Sequence, residues 1–556
     1  MVYYTNSITL IINIMKKTLF LFLLVFCCTF LAVAIGVKFP FNLLNKTSKS
    51  THYISNANNN NSKSMFFKKD DFASEWKKVE DLENKGLTED AKKQVELIYQ
   101  KASAANNQAN VVKALLYRYK YAQYNEEYSE QKAIAGLTAD IEKATAPTKN
   151  VLQSILADAY WQYFNSNRYN ILERTALSND NIAPDFETWD ATRFSRTITD
   201  LHLASLQNPE LLQNTKVELF DDIISKGDGT TRSYRPTLYD FLAHRAIDYF
   251  SNDQASITKA ADQFQITDTA AFGNTDAFLA ANFTNTDPLS TKYYAVKLLQ
   301  DVTRFHKNDA NPEALVDVEL KRLDFAQDAS SLPNKNELHF AALQALEKRY
   351  ADQPVSATVS FRLAQWHATK GGEYHPYTKP EVQWERKEAM TICENIIKKF
   401  PKTIAANNAQ ILQKQLRNKS IDVRIEETTE PEKPSRALIT YQNIDKVYGK
   451  VVLVTQDMEA KIKKMKREED KMPYLLSQKP VKTFSTDLPT ENDYQTHSTE
   501  IKIDALPMGK YLLFTATSPD FSYQGNALAY QYFYVTNLSY ISKKVAGDGY
   551  TQTVFV

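Results

Sequence analysis

At 556 residues the chain exceeds what one hydrophobic core supports, so several domains are expected. Lys and Arg number 67 against 66 Asp and Glu, and the net charge of +1 offers no electrostatic ground for a nucleic-acid partner. Thirteen Gly exclude a chain dominated by tight turns or glycine-rich phosphate loops, while 31 Tyr and 29 Phe supply bulk for large cores.

Met15-Lys16-Lys17 opens a positive segment, and Thr18 to Val37 then carries no charge. Ala32-Val33-Ala34 matches a small-x-small cleavage pattern, so residues 1–34 read first as an export signal cut after Ala34. The run is about 20 residues, which also suffices for an uncleaved anchor at 18–37 with Lys16 and Lys17 kept inside. A lipoprotein at Cys27 or Cys28 is a third reading, against which the bulky Val25 and Phe26 stand. Each reading places the body outside the cytoplasm, in the periplasm or on the cell surface. Beyond this run Cys393 is the one remaining thiol, which excludes an internal disulfide framework and a Cys-based zinc site if the run is cleaved or lies in a membrane. Residues 35–70, with Asn58 to Asn61 and many Ser and Lys, read as a flexible linker.

Helical periodicity begins at Phe72, through Trp76, Val79 and Leu82, and resumes with Ala91, Val95, Ile98 and Tyr99. Gly86 separates the two, and Thr88 before Glu89-Asp90 is expected to cap the second helix. A third helix is expected over 111–124. Farther on, Ala357, Phe361, Ala364 and Trp366 fall on one helix, and Ala389, Cys393, Ile396 and Ile397 on the next, which ends at Phe400-Pro401. Small Ala at a helix crossing and Pro after the second helix resemble a tetratricopeptide repeat. Residues 71–418 therefore read as an irregular α-helical, tetratricopeptide-like array. Within it, the aromatic run Tyr160-Trp161-Gln162-Tyr163-Phe164 reads as core packing between helices before it reads as a groove for peptide or glycan. A further helix is expected to enter through Pro236 and run to Ala246.

From Ser420 the period shortens to two. Ser420 to Ile425, Ala437 to Tyr441 and Val447 to Val454 read as strands, with a turn at Asn443 to Asp445. Lys461 to Lys471 is a charge run expected as an exposed, solvated insertion. Leu506-Pro507-Met508-Gly509 is turn chemistry leading to a strand over Lys510 to Thr517. In Ala529 to Thr536, Ala529, Phe533 and Val535 share one face and Tyr530, Tyr532 and Tyr534 the other. Residues 420–542 thus read as one antiparallel β-sandwich, and 543–556 as the start of a truncated further β domain. The fold class expected is α+β, multidomain: a helical array followed by a sandwich.

Two stretches carry a family resemblance. Lys433 to Tyr448 (KPSRALITYQNIDKVY) and Asp504 to Tyr540, with its order L-P-x-G-x-Y, strand, polar loop and aromatic strand ending V-T-N-L-S, resemble the first macroglobulin-type domain of bacterial alpha-2-macroglobulin family proteins. The aromatic run at 159–164 and Arg235 to Ala246 resemble the helical region that precedes it. The resemblance covers residues 70 to 556 and implies an N-terminal portion of an exported protease-inhibitor protein. Many members carry a C-x-E-Q thioester and an exposed bait segment; here Cys393-Glu394-Asn395-Ile396 departs from the first, and nothing resembles the second.

No catalytic constellation is present: G-x-S-x-G, H-E-x-x-H, G-x-x-x-x-G-K and the dinucleotide turn are all missing. Ser74-Glu75-Trp76-Lys77 matches S-x-x-K without its companion motifs, and His367 and His375 are the nearest His pair, off any helix-face metal spacing. Gly227-Asp228-Gly229-Thr230-Thr231 lacks the alternating acidic ligands of a calcium loop and reads as a turn. The expectation is a non-enzymatic protein with no catalytic, cofactor-binding or metal residues and no cofactor. Its partners would be proteins, either a protease or an envelope protein, with a possible membrane tether at 18–37. The alternative is a tetratricopeptide-like scaffold that binds a peptide or protein partner in the cell envelope.

Overall fold

A computed structural model describes residues 72–555 apart from 123–128, 175–184, 222, 225–230, 258–263, 288, 523–524 and 546–548. The expected export segment and linker lie outside the described residues. The architecture is α+β and multidomain, a helical array followed by sheets. It divides into two compact units, Met1–Lys335 and Asn336–Val556.

The first unit opens with three helices, α1 (Ala73–Asn84), α2 (Thr88–Ala104) and α3 (Gln108–Ala122). Their apolar residues recur at three and four, and the shared stripe buries Phe72, Trp76, Val79, Ala91, Val95, Ile98, Ala114 and Tyr121 in one core. The Trp76 indole N–H reaches the Asn110 side-chain oxygen at 2.6 Å, so the polar edge of the largest ring is satisfied inside. Gly86 ends α1 at φ +74°, a left-handed conformation that glycine adopts without strain. Thr88 does not cap α2. Leu87 occupies that position, and Thr88 is the first helical residue.

The unit continues through α4 (Ser129–Lys143), α5 (Thr148–Ser166), α6 (Arg168–Leu172), α7 (Ala191–Ala204) and α8 (Pro209–Asn214). It closes with α9 (Leu238–Ser251), α10 (Thr275–Ala280), α11 (Thr291–His306) and α12 (Glu313–Ala329). Thr237 caps α9 in a capping box, its side chain accepting from the Asp240 N–H while the Asp240 carboxylate accepts from the Thr237 N–H. The chain enters that helix through Pro236, as the sequence suggests.

The second unit contains α13 (Lys335–Arg349), α14 (Ser356–Gly371), α15 (Glu385–Lys399) and α16 (Ile404–Leu416). Ala357, Ala364, Cys393, Ile396, Ala405, Ala406 and Ala409 form one buried cluster among α14, α15 and α16. Small side chains there let the helix axes approach closely. The strands follow directly: β1 (Ser420–Ile425), β2 (Thr428–Thr429), β3 (Ser435–Gln442), β4 (Lys446–Leu453), β5 (Lys482–Asp487), β6 (Thr496–Ile503), β7 (Gly509–Ala516) and β8 (Leu528–Val535). One sheet has the order β1-β3-β6 and the other β2-β8-β7-β4-β5. Val423, Ile439 and Ile501 from the first sheet and Val451, Tyr511, Leu513 and Phe533 from the second share one buried core. The pairing is antiparallel except for the short β2–β8 contact, which is parallel, so the larger sheet is mixed. β9 (Ser539–Val545) and β10 (Gly549–Phe555) pair antiparallel as a separate two-stranded sheet.

The Lys461–Lys471 charge run is largely exposed and mostly helical, within the exposed helix or loop expected. It joins α17 (Gln456–Lys464) to α18 (Glu468–Leu476), inserted between β4 and β5. Met458, Met472 and Leu475 on these helices are buried with Val452, Leu512, Phe514 and Phe521 on the outer face of the larger sheet. The charges stay outside because they occupy the opposite helix faces.

Candidate functional site

The stretch that carries the family resemblance forms the centre of the larger sheet. Tyr511 is buried, and its hydroxyl donates to the Pro507 carbonyl, four residues upstream, at 2.9 Å. This is a tyrosine corner, a device of Greek-key sandwiches that pins the turn entering a strand. A Cβ on Gly509 would lie 3.0 Å from a Leu453 methyl and 3.2 Å from the Tyr511 ring, so the turn packs tightly against both. On β8, Phe533 and Val535 face the core between the sheets, whereas Tyr530 and Tyr532 pack beneath α17 and α18. That division is the one read from the sequence.

Lys450 lies among these outer-face residues and is buried. Its ammonium donates to the Leu476 carbonyl at 2.7 Å, at the C-terminal end of α18. It also lies 4.8 Å from the Phe521 ring centre and 5.2 Å from that of Phe514. Burial lowers its pKa. The helix end and the two rings replace the water it has lost.

The helices α13–α16 are fastened to the sandwich through polar contacts that the expected boundary at 418–420 does not anticipate. Asp493 is buried and accepts from the Gln383 side chain at 2.9 Å, the Gln495 N–H at 2.9 Å and His497 Nε2 at 3.0 Å. Burial alone would raise its pKa, but these donors hold it below the ordinary value. Arg386 on α15 donates to the Tyr494 carbonyl at 3.0 Å. Asn443, in the turn between β3 and β4, donates to the Leu416 and Asn418 carbonyls at 2.7 and 2.8 Å and so caps the end of α16.

In the first unit a group of ionisable side chains surrounds α9. His306 closes α11 with Nε2 2.7 Å from Asp240 and Nδ1 2.7 Å from Asp309. Between two ionised carboxylates each ring nitrogen donates, which favours the imidazolium form. Burial works against this charge, but the Asp240 and Asp309 hydrogen bonds outweigh it and raise the pKa. His244, one turn along α9, meets Lys321 of α12 at 3.3 Å on Nδ1 and Asp317 at 3.9 Å on Nε2. Its pKa lies well below normal because of burial, then the nearby Arg235, Lys321 and His306 cations. An Asp–His pair of this kind suggests general base chemistry. His306 and Asp240 are 2% and 0% exposed at the side chain, however, so no substrate can reach them. Its role is structural.

The other motifs resolve as follows. Tyr160, Tyr163 and Phe164 are buried with Phe186, Trp189 and Phe194, a core of stacked, tilted and edge-on rings and not a groove. Ser74 and Lys77 sit on α1, where the Ser74 hydroxyl donates to Glu75. His367 pairs with Glu385 at 2.5 Å, while His375 Nδ1 accepts from the Tyr377 and Thr378 backbone N–H groups. Cys393 is buried, and burial pushes its thiol up to about 11, with Glu394 adding to the shift. Gly227 to Thr230 lie outside the described residues. Among the described residues no group of three His, Cys, Asp or Glu is arranged to hold a metal, and no helix is long and apolar enough to cross a membrane.

Compared with known proteins, the chain matches no family model and no curated protein. A loop between α14 and α15 holds Tyr377 at 90% exposure, braced by the Lys379–Glu373 pair at 2.7 Å, and Trp384 at its far end is 49% exposed. The T-x-x-D signal of Thr237 and Asp240 is legible in the sequence as a helix start. Nothing in the sequence points from Asp240 to His306.

Proposed function

We propose that this is a non-enzymatic, exported protein of the alpha-2-macroglobulin type that acts by binding protein, whether a protease or an envelope partner. The observation that carries this reading is the place of the Asp504–Tyr540 stretch. Its L-P-x-G-x-Y segment forms the tyrosine corner into β7, and its aromatic strand β8 packs one face between the sheets and the other under α17 and α18, which supports the resemblance. The shielded Cys393 and the inaccessible His306 supply nothing reactive at the surface. The 556 residues contain no C-x-E-Q thioester, so the chain alone is expected not to trap proteases. Incubation of the purified protein with proteases of different sizes tests this. Stoichiometric protection of the bound protease against large substrates but not small ones would sink the expectation.

The Ala-rich crossing among α14, α15 and α16 favours a second reading, a tetratricopeptide-like scaffold. Crosslinking to co-purified envelope proteins separates the two. Crosslinks concentrated on residues 356–416 support the scaffold, and crosslinks confined to the sandwich remove it.

A further inference from the structure

We propose that the seam of α9 against α7 and α12 is an acid-sensitive joint that opens the first unit when its surroundings acidify. This goes beyond the reading of function above and does not rest on it.

The geometry consists of two buried imidazoles with nowhere to place a second proton. His202 on α7 is fully buried, stacked on Tyr249 of α9 at 4.9 Å and edge-on to Phe250 at 5.8 Å. Neither of its ring nitrogens has a hydrogen-bond partner. The charged group facing it is the Arg245 guanidinium of α9, itself held by Asp158 and by the Ser154 hydroxyl of α5. An apolar ring would fill this slot without leaving two polar atoms bare, which is the usual solution in a core. His244, on the face of α9 toward α12, stands among three cations: Lys321, Arg235 and the His306 imidazolium. The carboxylates near it are already engaged. Asp317 holds Arg235 at 3.0 Å, and Asp248 holds Lys321.

Acid therefore acts on both sides of α9. Burial, then Arg245, depresses His202 to about 3, and His244 shifts in the same direction. A group depressed in the folded state contributes stability that is present above its ordinary pKa and lost as pH falls below it. Once the seam opens, each imidazole regains its ordinary pKa and takes a proton. Between pH 7.5 and pH 5 the opening equilibrium should rise about thirty-fold for His202 alone. His244 adds its own factor in the same direction. His306 opposes this in part where opening breaks its contact with Asp240, because its own contribution grows as pH falls toward 6.5, by at most about ten-fold.

Hydrogen exchange of the full chain at pH 7.5 and pH 5, corrected for intrinsic rates, tests the proposal. Protection in α7 and α9 should fall at least about three-fold, the His202 rise less the most that His306 can oppose, while β3 and β7 keep theirs. In His202→Phe, which keeps a ring against Tyr249, the fall should shrink by the His202 share. A second measurement needs no variant: in the NMR titration of the unaltered protein, His202 should stay neutral until the seam opens. Three results would overturn the proposal: unchanged protection at pH 5, a fall equal across both units, or a folded-state His202 that titrates near the ordinary histidine value.

Discussion

His306 is the residue on which the first unit's ionic packing turns. Its imidazolium joins the end of α11 to the start of α9, 66 residues away in sequence, and lies between two carboxylates. Replacing it with glutamine leaves the fully buried Asp240 without its cation. His306→Gln should cost about 3 kcal/mol of stability, measured by denaturant unfolding. The pH dependence has a definite sign. Because the folded pKa is raised above 6.5, the His306 contribution is complete below that pH and is lost as pH rises through the folded value. Stability of the unaltered protein should therefore decline on the alkaline side, and His306→Gln should flatten that decline. Cys393 offers a simpler test. Fully buried, with its thiol pushed up to about 11, it should ignore a disulfide-exchange reagent at pH 8 until the protein unfolds.

Among the elements, β4 shows how close approach governs a strand. Gly449 faces the Phe484 ring of β5, and a Cβ there would lie 2.0 Å from it. Aromatic cover over a bare backbone position holds the edge strand in register. Gly449→Ala should destabilise the sandwich by about 1–3 kcal/mol, and in Gly449→Ala/Phe484→Ala the two losses should fail to add. A strictly additive double-mutant cycle would refute the packing account. The α17–α18 insertion follows the same logic on the opposite face of the larger sheet. Its amphipathic spacing buries Met458, Met472 and Leu475 and leaves the charges outside. The insertion completes a second small core that the sheet's outer residues could not enclose alone.

At the scale of the whole molecule, the division at Lys335 and Asn336 groups α13–α16 with the sheets instead of with the other helices. Polar fastenings around Asp493 and Asn443 join them, beside the packing of Ala389, Met390 and Leu416 against Tyr494. In hydrogen exchange, α14–α16 should open together with the sandwich strands. Asp493→Ala removes the shared acceptor of Gln383, Gln495 and His497, so it should let these helices exchange independently. Helices that open with the strands as before in Asp493→Ala would show that apolar packing alone joins them.

Much of the plan is local and therefore legible in the chain itself. Period-two alternation places Phe533 and Val535 in one core and Tyr530 and Tyr532 in another, and three-four spacing marks α1, α2, α14 and α15. Turn residues at Gly86, Asn443 and Leu506 to Gly509 mark breaks because backbone conformation there depends on the residue itself. The cap of α2 falls one position before Thr88, at Leu87, because the preceding turn sets where the helix begins. Only the tertiary structure decided that Asp240 meets His306, that His202 stacks bare on Tyr249, that the charged insertion lies on a sheet, and that the compact units part at 335. Each of these depends on which surfaces meet across tens of residues, and the period of a sequence fixes the face a side chain takes but not its partner.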